Sequence, residues 1–281
     1  FTALGNNTTG ASNTAMGQNS LVTNTTGSSN SAYGLQSMFS NQSGDFNTGL
    51  GRNALYNNTT ASNNVACGYN ALLSNTTGTQ NASVGAFSLD ANTTANNNSA
   101  FGYGALGANT TGTQNTAVGQ ALVSNTTADN NTAIGYLALN ANTTGTNLAA
   151  VGAFCLDANT TGNNQTAMGY NCLSNHTTGA NTSGYGFAAG FTNTIGVITA
   201  VGSQALYSNQ TGNNNTAVGV SCLYSNTADN NTAYGHSAMN ANTSGTQNTA
   251  MGGFALDAST TGSYSAAFGY HALGTNTTAS Y

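Results

Sequence analysis

The chain has 281 residues, of which only 2% are charged, with a single Lys or Arg (Arg52), six Asp or Glu and a formal net charge of −5. Because one cationic side chain cannot neutralise many phosphates, this composition argues against nucleic-acid binding and against electrostatic attraction to anionic membranes. No apolar run in the sequence approaches the roughly 18 residues that span a bilayer.

One pattern, N-T-A-x-G-x-x-A-L followed by N-T-T-G, recurs along the whole chain. Its glycine, called the anchor glycine below, returns every 17 residues, or every 16 in three places. A short fixed period is typical of solenoids, in which each coil contacts mainly its neighbours. The anchor glycines are Gly17, Gly34, Gly51, Gly68, Gly85, Gly102, Gly119, Gly135, Gly152, Gly169, Gly186, Gly202, Gly219, Gly235, Gly252 and Gly269.

Residues 1–281 are interpreted as a single repeat solenoid that is part of a longer fibre, because the chain opens in mid-repeat with F-T-A-L-G. Two coils are irregular. Near 5–17 one repeat is cut to 12 residues, and near 186–202 a leucine is replaced by Gly190 while N-T-T-G becomes N-T-I-G. We expect local distortions there and no domain boundary.

Three positions of the repeat are apolar throughout. The residue before the anchor glycine is mostly large (the large column, from Met16 to Phe268), the residue before that is small (the small column, mostly Ala), and a leucine column follows four residues after the glycine. Since turn residues interrupt every repeat, no helical run reaches ten residues, and short strands fit better. The pattern predicts an all-β parallel β-solenoid (a β-roll or β-helix) of about 16 coils, with T-A-V-G as one strand and A-L beginning a second.

Neighbouring residues of a strand point to opposite faces. We expect the large column to fill the coil and the small column to form a flat outer stripe of alanines that other chains cover. A side-by-side homotrimer is the simplest closed arrangement of this kind.

An asparagine recurs about seven residues after every anchor glycine except Gly252, where Ser259 stands, and most copies begin N-x-T or N-x-S, the acceptor pattern for N-glycosylation. Two interpretations stay open at this point: stacked amides that form an Asn ladder along the axis, or exposed turns that carry glycans. An asparagine amide that is buried in a ladder cannot also carry a glycan. The candidate positions are Asn24, Asn41, Asn58, Asn75, Asn92, Asn109, Asn125, Asn142, Asn159, Asn175, Asn209, Asn242 and Asn276.

The four cysteines are far apart, and three of them (Cys155, Cys172 and Cys222) share a position where other repeats have Ala or Ser. Buried free thiols are therefore expected, with no metal site and no disulfide. Cys67 falls in the large column.

Candidates for catalysis are sparse. The three histidines (His176, His236 and His271) fall in separate repeats, at positions expected to be exposed. Three aspartates share one column but are separated by four and six coils, roughly 19 and 29 Å, which is too far for an acid–base pair; they are Asp90, Asp157 and Asp257. Asp129 and Asp229, each in A-D-N-N-T, are interpreted as turn caps. We predict no enzyme activity, cofactor or metal.

The strand ending A-V-G or A-I-G, repeated with small and aliphatic columns, resembles the head repeats of trimeric autotransporter adhesins of the YadA type. N-T-A-V-G-x-x-A-L-x-x-N-T-T-G is also similar to repeats in tail-fibre-like surface proteins of bacteria and phages. The resemblance covers nearly the whole chain and implies a β-roll that associates as three chains at a cell or virion surface. The 17-residue period, the N-T-T-G turn and the lack of lysine depart from the adhesin pattern.

The sequence therefore predicts an extracellular structural or adhesin-type filament that presents repeated Asn/Thr turns, self-associates and binds glycans or a host surface by avidity. One alternative is an ice-binding or ice-nucleating solenoid, since N-T-T supplies ladders of Thr; thermal hysteresis distinguishes it. A phage tail-fibre shaft is another. A disordered Asn-rich chain is a further class, against which the persistent apolar columns argue.

Overall fold

The computed structural model describes residues 2–279, which contain strands and turns but no helix. Consequently these residues include no helix long and apolar enough to cross a membrane. The chain groups into two compact units, residues 1–137 with 141–144 and residues 138–140 with 145–281. Each unit repeats the same coil, one strand and a series of turns per repeat.

The strands are three or four residues long and coincide with the T-A-x segment before each anchor glycine. In the first unit they are β1 (Thr14–Met16), β2 (Ser31–Tyr33), β3 (Thr48–Leu50), β4 (Val65–Cys67), β5 (Ala82–Val84), β6 (Ser99–Phe101), β7 (Thr116–Val118) and β8 (Thr132–Ile134). In the second unit they are β9 (Leu148–Val151), β10 (Gln165–Met168), β11 (Ser183–Tyr185), β12 (Ile198–Val201), β13 (Asn215–Val218), β14 (Thr232–Tyr234), β15 (Thr249–Met251) and β16 (Ala266–Phe268).

Within each unit every strand pairs in parallel with the strand of the next coil, at equivalent positions of the repeat. In β7 and β8, for example, Ala117 pairs with Ala133 and Val118 with Ile134. Like residues therefore lie above one another from coil to coil. The predicted all-β parallel β-solenoid with a 17-residue repeat is confirmed.

The orientation expected for the strands was wrong, because the small column and not the large one points into the coil. Ala117 and Ala133 are fully buried, whereas Val118 and Ile134 remain 37% and 39% exposed. The interior beside this column is closely packed: where Gly184 takes the place of alanine, an added Cβ would lie 2.7 Å from Cys172 Sγ, which itself replaces the alanine of other repeats, and 3.0 Å from Leu173 Cγ. Alanine and leucine fill the interior together, and the alanine stripe is not an outer surface.

The second predicted strand, around A-L, does not form among the described residues. Leu21, for example, has φ of 51°, in the left-handed region that extended strands exclude. A left-handed leucine costs roughly 1–2 kcal/mol. Complete burial of its side chain and a 2.9 Å hydrogen bond from its N–H to Ser37 O offset that cost.

Within each unit, each coil is hydrogen-bonded to the next along three sides. On the strand side Thr14 N donates to Asn30 O over 2.8 Å, and on the leucine side Leu55 N donates to Ala71 O over 3.0 Å. At the N-T-T turn Thr25 N donates to Gln42 O over 2.9 Å. Repetition of these backbone bonds fixes the stacking of the coils, and aspartate side chains add to it in only a few coils.

The anchor glycine permits this close stacking. Gly51 has φ of +133°, and a Cβ added to it would lie 2.5 Å from Gly68 O in the next coil. Neither the backbone angle nor the space tolerates a side chain.

We predict that Gly51→Ala lowers the free energy of unfolding by about 2–4 kcal/mol, since it combines a strained φ with a backbone clash. The matched control is Gly253→Ala, because Gly253 lies one residue after an anchor glycine and its Cβ would make only ordinary contacts, with the Tyr270 ring at 3.6 Å and His236 O at 3.9 Å. Urea unfolding followed by circular dichroism measures both. Equal stabilities of the two variants would contradict the steric role of the anchor glycine.

Candidate functional site

Asparagines of the N-T-T-G turn form a continuous ladder of side-chain amides inside the first unit. Asn58 Nδ2 donates to Asn41 Oδ1 over 2.8 Å and to Ala61 O of its own turn over 3.0 Å, while its Oδ1 accepts from Asn75 Nδ2 over 3.0 Å. Each amide thus uses both of its N–H groups in complete burial. The predicted Asn ladder is confirmed.

The ladder accounts for most of the predicted positions. Fully buried members are Asn24, Asn41, Asn58, Asn75, Asn92, Asn109, Asn125, Asn142, Asn159, Asn209 and Asn242. In the second unit Asn242 Nδ2 donates to Asn226 Oδ1 over 2.7 Å. An attached sugar would have to replace these bonds and would find no space. Asn276, near the end of the described residues, is partly exposed and donates to Ala279 O over 3.0 Å.

The assignment of Asn175 to the column was wrong by one residue. Asn175 is exposed and donates to Phe191 O, while His176 takes the ladder position and is fully buried. The expectation that His176 is exposed was therefore also wrong. Its Nδ1 lies 2.5 Å from Asn193 Oδ1 of the next coil. The register shifts because this turn, N-H-T-T-G, places the histidine and not the asparagine seven residues after Gly169.

Burial lowers the pKa of His176 below its ordinary value of 6.5, although the hydrogen bond to Asn193 opposes this shift. In other coils the ladder asparagine donates a hydrogen bond to the carbonyl of its own turn. The equivalent carbonyl here, Gly179 O, accepts a hydrogen bond from Gln165 Nε2. His176 therefore packs as a neutral residue inside the coil. The other two histidines are exposed, as predicted.

A second ladder was missed in the sequence. It is formed by the asparagine before T-A-x-G. The side-chain oxygen of this asparagine accepts a hydrogen bond from the backbone N–H of its equivalent in the next coil; for example, Asn47 N donates to Asn30 Oδ1 over 2.9 Å. Its Nδ2 donates to a carbonyl of the following turn; Asn30 Nδ2, for example, donates to Gly44 O over 2.7 Å. The signal was present, since this asparagine precedes most strands. Its buried members include Asn30, Asn47, Asn64, Asn81, Asn98, Asn115, Asn131, Asn215, Asn231 and Asn248.

Several acidic side chains accept hydrogen bonds at the turns. Asp129 and Asp229 cap turns of the preceding coil, as predicted: Asp129 Oδ1 accepts from Thr113 N over 2.5 Å and Asp229 Oδ1 from Asn213 N over 2.7 Å. Partial burial raises the pKa of Asp90 and of Asp157, and Asp157 Oδ1 also accepts from Ser174 Oγ over 2.6 Å.

The thiols are free, as expected, and three of them are buried. Cys155 Sγ donates to Ala167 O over 3.2 Å, and Cys222 Sγ donates to Ala233 O over 3.3 Å. Burial raises the pKa of Cys222 to about 12. A hydrogen bond with the Cys172 thiol, together with burial, raises the pKa of Cys155. Protonated thiols of this kind are poor nucleophiles and poor metal ligands. Residues 2–279 contain no cavity and no cluster of potential metal ligands.

The most prominent surface is the outer side of the strands, called the strand face below. Its two columns are the Thr or Ser that begins most strands and the large column, from Met16, 67% exposed, to Phe268, 65% exposed. The charged residues all lie in turns and loops outside the strands. The strand face is therefore a regular, uncharged and largely apolar surface in each unit.

Comparison of the chain with protein-family models, with curated proteins and with solved structures finds no match.

We predict that Asn58→Asp costs about 3 kcal/mol or more of unfolding free energy, because a buried carboxylate loses both amide donors and faces the oxygens that accepted them. Asn57→Asp is the matched control, since Asn57 precedes it in the same turn and is partly exposed. Chemical denaturation compares the two. Variants of equal stability would show that the ladder does not stabilise the coil.

The protonation state of His176 gives a pH prediction. Because the folded-state pKa lies below 6.5, the unfolded chain binds a proton first, and stability is complete above pH 6.5 and falls as the pH is lowered through and below that value. The slope is at most roughly 1.4 kcal/mol per pH unit. His176→Asn should reduce the slope between pH 6.5 and 5, and His236→Asn should keep it. A wild-type slope in the first variant would contradict neutral burial.

Proposed function

We propose that the chain is a non-catalytic structural segment of an extracellular filament, at a cell or virion surface, whose copies associate side by side through the strand face. The observation that carries the proposal is the pairing of a self-sufficient, hydrogen-bonded interior with a continuous apolar outer column. Such a coil stacks without limit along its axis and still has one surface left to cover.

The size of the strand face supports association. A large side chain presents about 150–200 Å² when free, so that members of the large column, near 40% exposed, offer about 60–80 Å² each. Eight coils of one unit then offer about 480–640 Å² from this column alone, close to the largest apolar patch of an ordinary monomer, and the chain has two such units. A typical stable interface buries about 800 Å² per partner.

A second copy of the chain is the best match for this face. Without charges the face cannot select a partner by electrostatic complementarity. Its side chains recur at the strand spacing of about 4.8 Å, so that an identical ladder meets them in register along each unit. The homotrimer expected from the sequence is retained as the proposed assembly, with the large column replacing the alanine stripe as the contact.

An ice-binding function is supported less well. The Thr side chains at the start of the strands do form an outer column, for example at Thr116 and Thr132. However, rings of the large column such as Phe101 and Tyr234 stand beside them and break the flat array. In the turns, hydroxyls such as Thr76 Oγ1 already donate to the next coil.

We predict that Phe101→Lys with Met168→Lys converts the assembly into single chains, because each lysine would bury an unpaired charge in the contact. The control places the same charges on exposed turns, as Thr111→Lys with Thr178→Lys. Light scattering should give a multiple of the chain mass for the wild type and the control, and one chain mass for the strand-face variant. A monomeric wild type would overturn the proposed association.

A further inference from the structure

Three aromatic pairs with the same geometry recur on the corner that follows the strands. In each pair a Phe two residues after one anchor glycine packs edge to face against a Tyr one residue after the next anchor glycine. The centroid distances and interplanar angles are 5.8 Å and 75°, 5.9 Å and 83°, and 6.0 Å and 81°. The pairs are Phe87–Tyr103, Phe154–Tyr170 and Phe254–Tyr270.

A carboxylate accompanies every pair. The three phenylalanines all stand in the segment F-x-L-D-A, which places Asp90, Asp157 and Asp257 three residues after them. No other repeat has a Phe two residues after its anchor glycine or an Asp five residues after it. Aromatic pair and acid therefore occur together, three times, which a random distribution of surface residues does not explain.

Folding of the coil does not require these residues. The coil of Gly202 has Ser203 and Gln204 at the two positions that follow its anchor glycine, and it keeps the same strand pairing and the same buried leucine. The tyrosines are also strongly exposed, by 64% at Tyr103, 49% at Tyr170 and 79% at Tyr270. Exposed rings that the interior does not need point to a ligand.

The chemistry of the site selects the ligand class. An aromatic ring packs against the C–H face of a sugar, and a carboxylate and nearby amides accept or donate hydrogen bonds to its hydroxyls. The almost complete lack of cations disfavours sulfated and uronic-acid polymers. Since residues 2–279 form no cavity, an extended chain that lies on the surface fits better than an enclosed small molecule.

We propose that the three Phe–Tyr–Asp sets are binding sites for a neutral polysaccharide, with the tyrosine ring as the platform and the carboxylate as hydrogen-bond acceptor. This inference deepens the proposed extracellular role and uses a surface separate from the strand face. Within the second unit the sets of Phe154 and Phe254 are six coils apart, about 29 Å. One polymer can occupy both, and avidity then compensates for weak individual sites.

The test is affinity electrophoresis of the full chain in gels that contain a mixed-linkage β-glucan, an α-mannan or a neutral arabinoxylan, with alginate as the acidic comparison. The wild type should be retarded by at least one neutral polymer and not by alginate. The triple variant Tyr103→Ala, Tyr170→Ala, Tyr270→Ala should weaken the apparent affinity at least 10-fold, and Asp90→Asn, Asp157→Asn, Asp257→Asn should weaken it by a smaller factor.

The matched control is Tyr56→Ala, Tyr207→Ala, Tyr224→Ala, which removes three partly exposed, stacked tyrosines from coils that lack a Phe–Tyr–Asp set. They stand at the repeat position that an aspartate occupies in the sets. It should bind as the wild type does. No retardation of the wild type by any neutral polymer, or equal losses in the two tyrosine triples, would overturn the proposal. Light scattering on the same samples reports self-association independently, so failure of one proposal is distinguishable from failure of the other.

Discussion

The stacking of like residues on like residues is the constraint from which the rest of the structure follows. Each coil contributes one backbone N–H and one C=O to the next along its strand, its leucine turn and its N-T-T turn, and two asparagine amides repeat the same arrangement with side chains. A chain that satisfies its polar groups in this way needs neither charges nor a large core. This explains a composition that is rich in Asn and Thr and nearly free of Lys, Arg, Asp and Glu.

The narrow coil also decides which residues become surface. In most repeats its interior takes two small residues, usually alanine, and one leucine, with asparagine amides beside them, while the Phe and Tyr rings of residues 2–279 all stay at least partly exposed. Consequently the strand face bears the valines, methionines and aromatic rings that a globular protein would bury. A solenoid of this type separates stability from recognition, because outer residues can change from coil to coil while the inner columns stay constant.

The period, the parallel stacking, the turn column and the buried thiols could all be predicted, because each depends on a residue type that recurs at a fixed interval. Which face of the strand points into the coil could not be predicted. Alternation shows that Ala117 and Val118 face opposite ways, but both are apolar, so only the width of the coil decides which one is inside. The left-handed Leu21 was missed for a similar reason, since leucine rarely adopts that conformation and its burial was compatible with a strand.

Departures from the repeat were harder to place than the repeat itself. His176 was assigned to the surface because it stands in a turn, although counting from Gly169 puts it in the ladder. The Phe–Tyr–Asp sets were visible only as a column of three acids, and the ring contacts between coils were needed to join each phenylalanine to its tyrosine. Residues that vary on a constant scaffold are therefore the ones for which structure adds most.

The stacked amides can be tested most directly by nuclear magnetic resonance measurement of hydrogen exchange at the asparagine side chains. The account predicts that the Nδ2 protons of buried members such as Asn41 and Asn75 are protected for as long as the fold persists, while those of Asn175, which has only a solvent-exposed bond to Phe191 O, exchange much faster. Exchange at the free-peptide rate from all three would contradict the ladder and, with it, the coil-on-coil register.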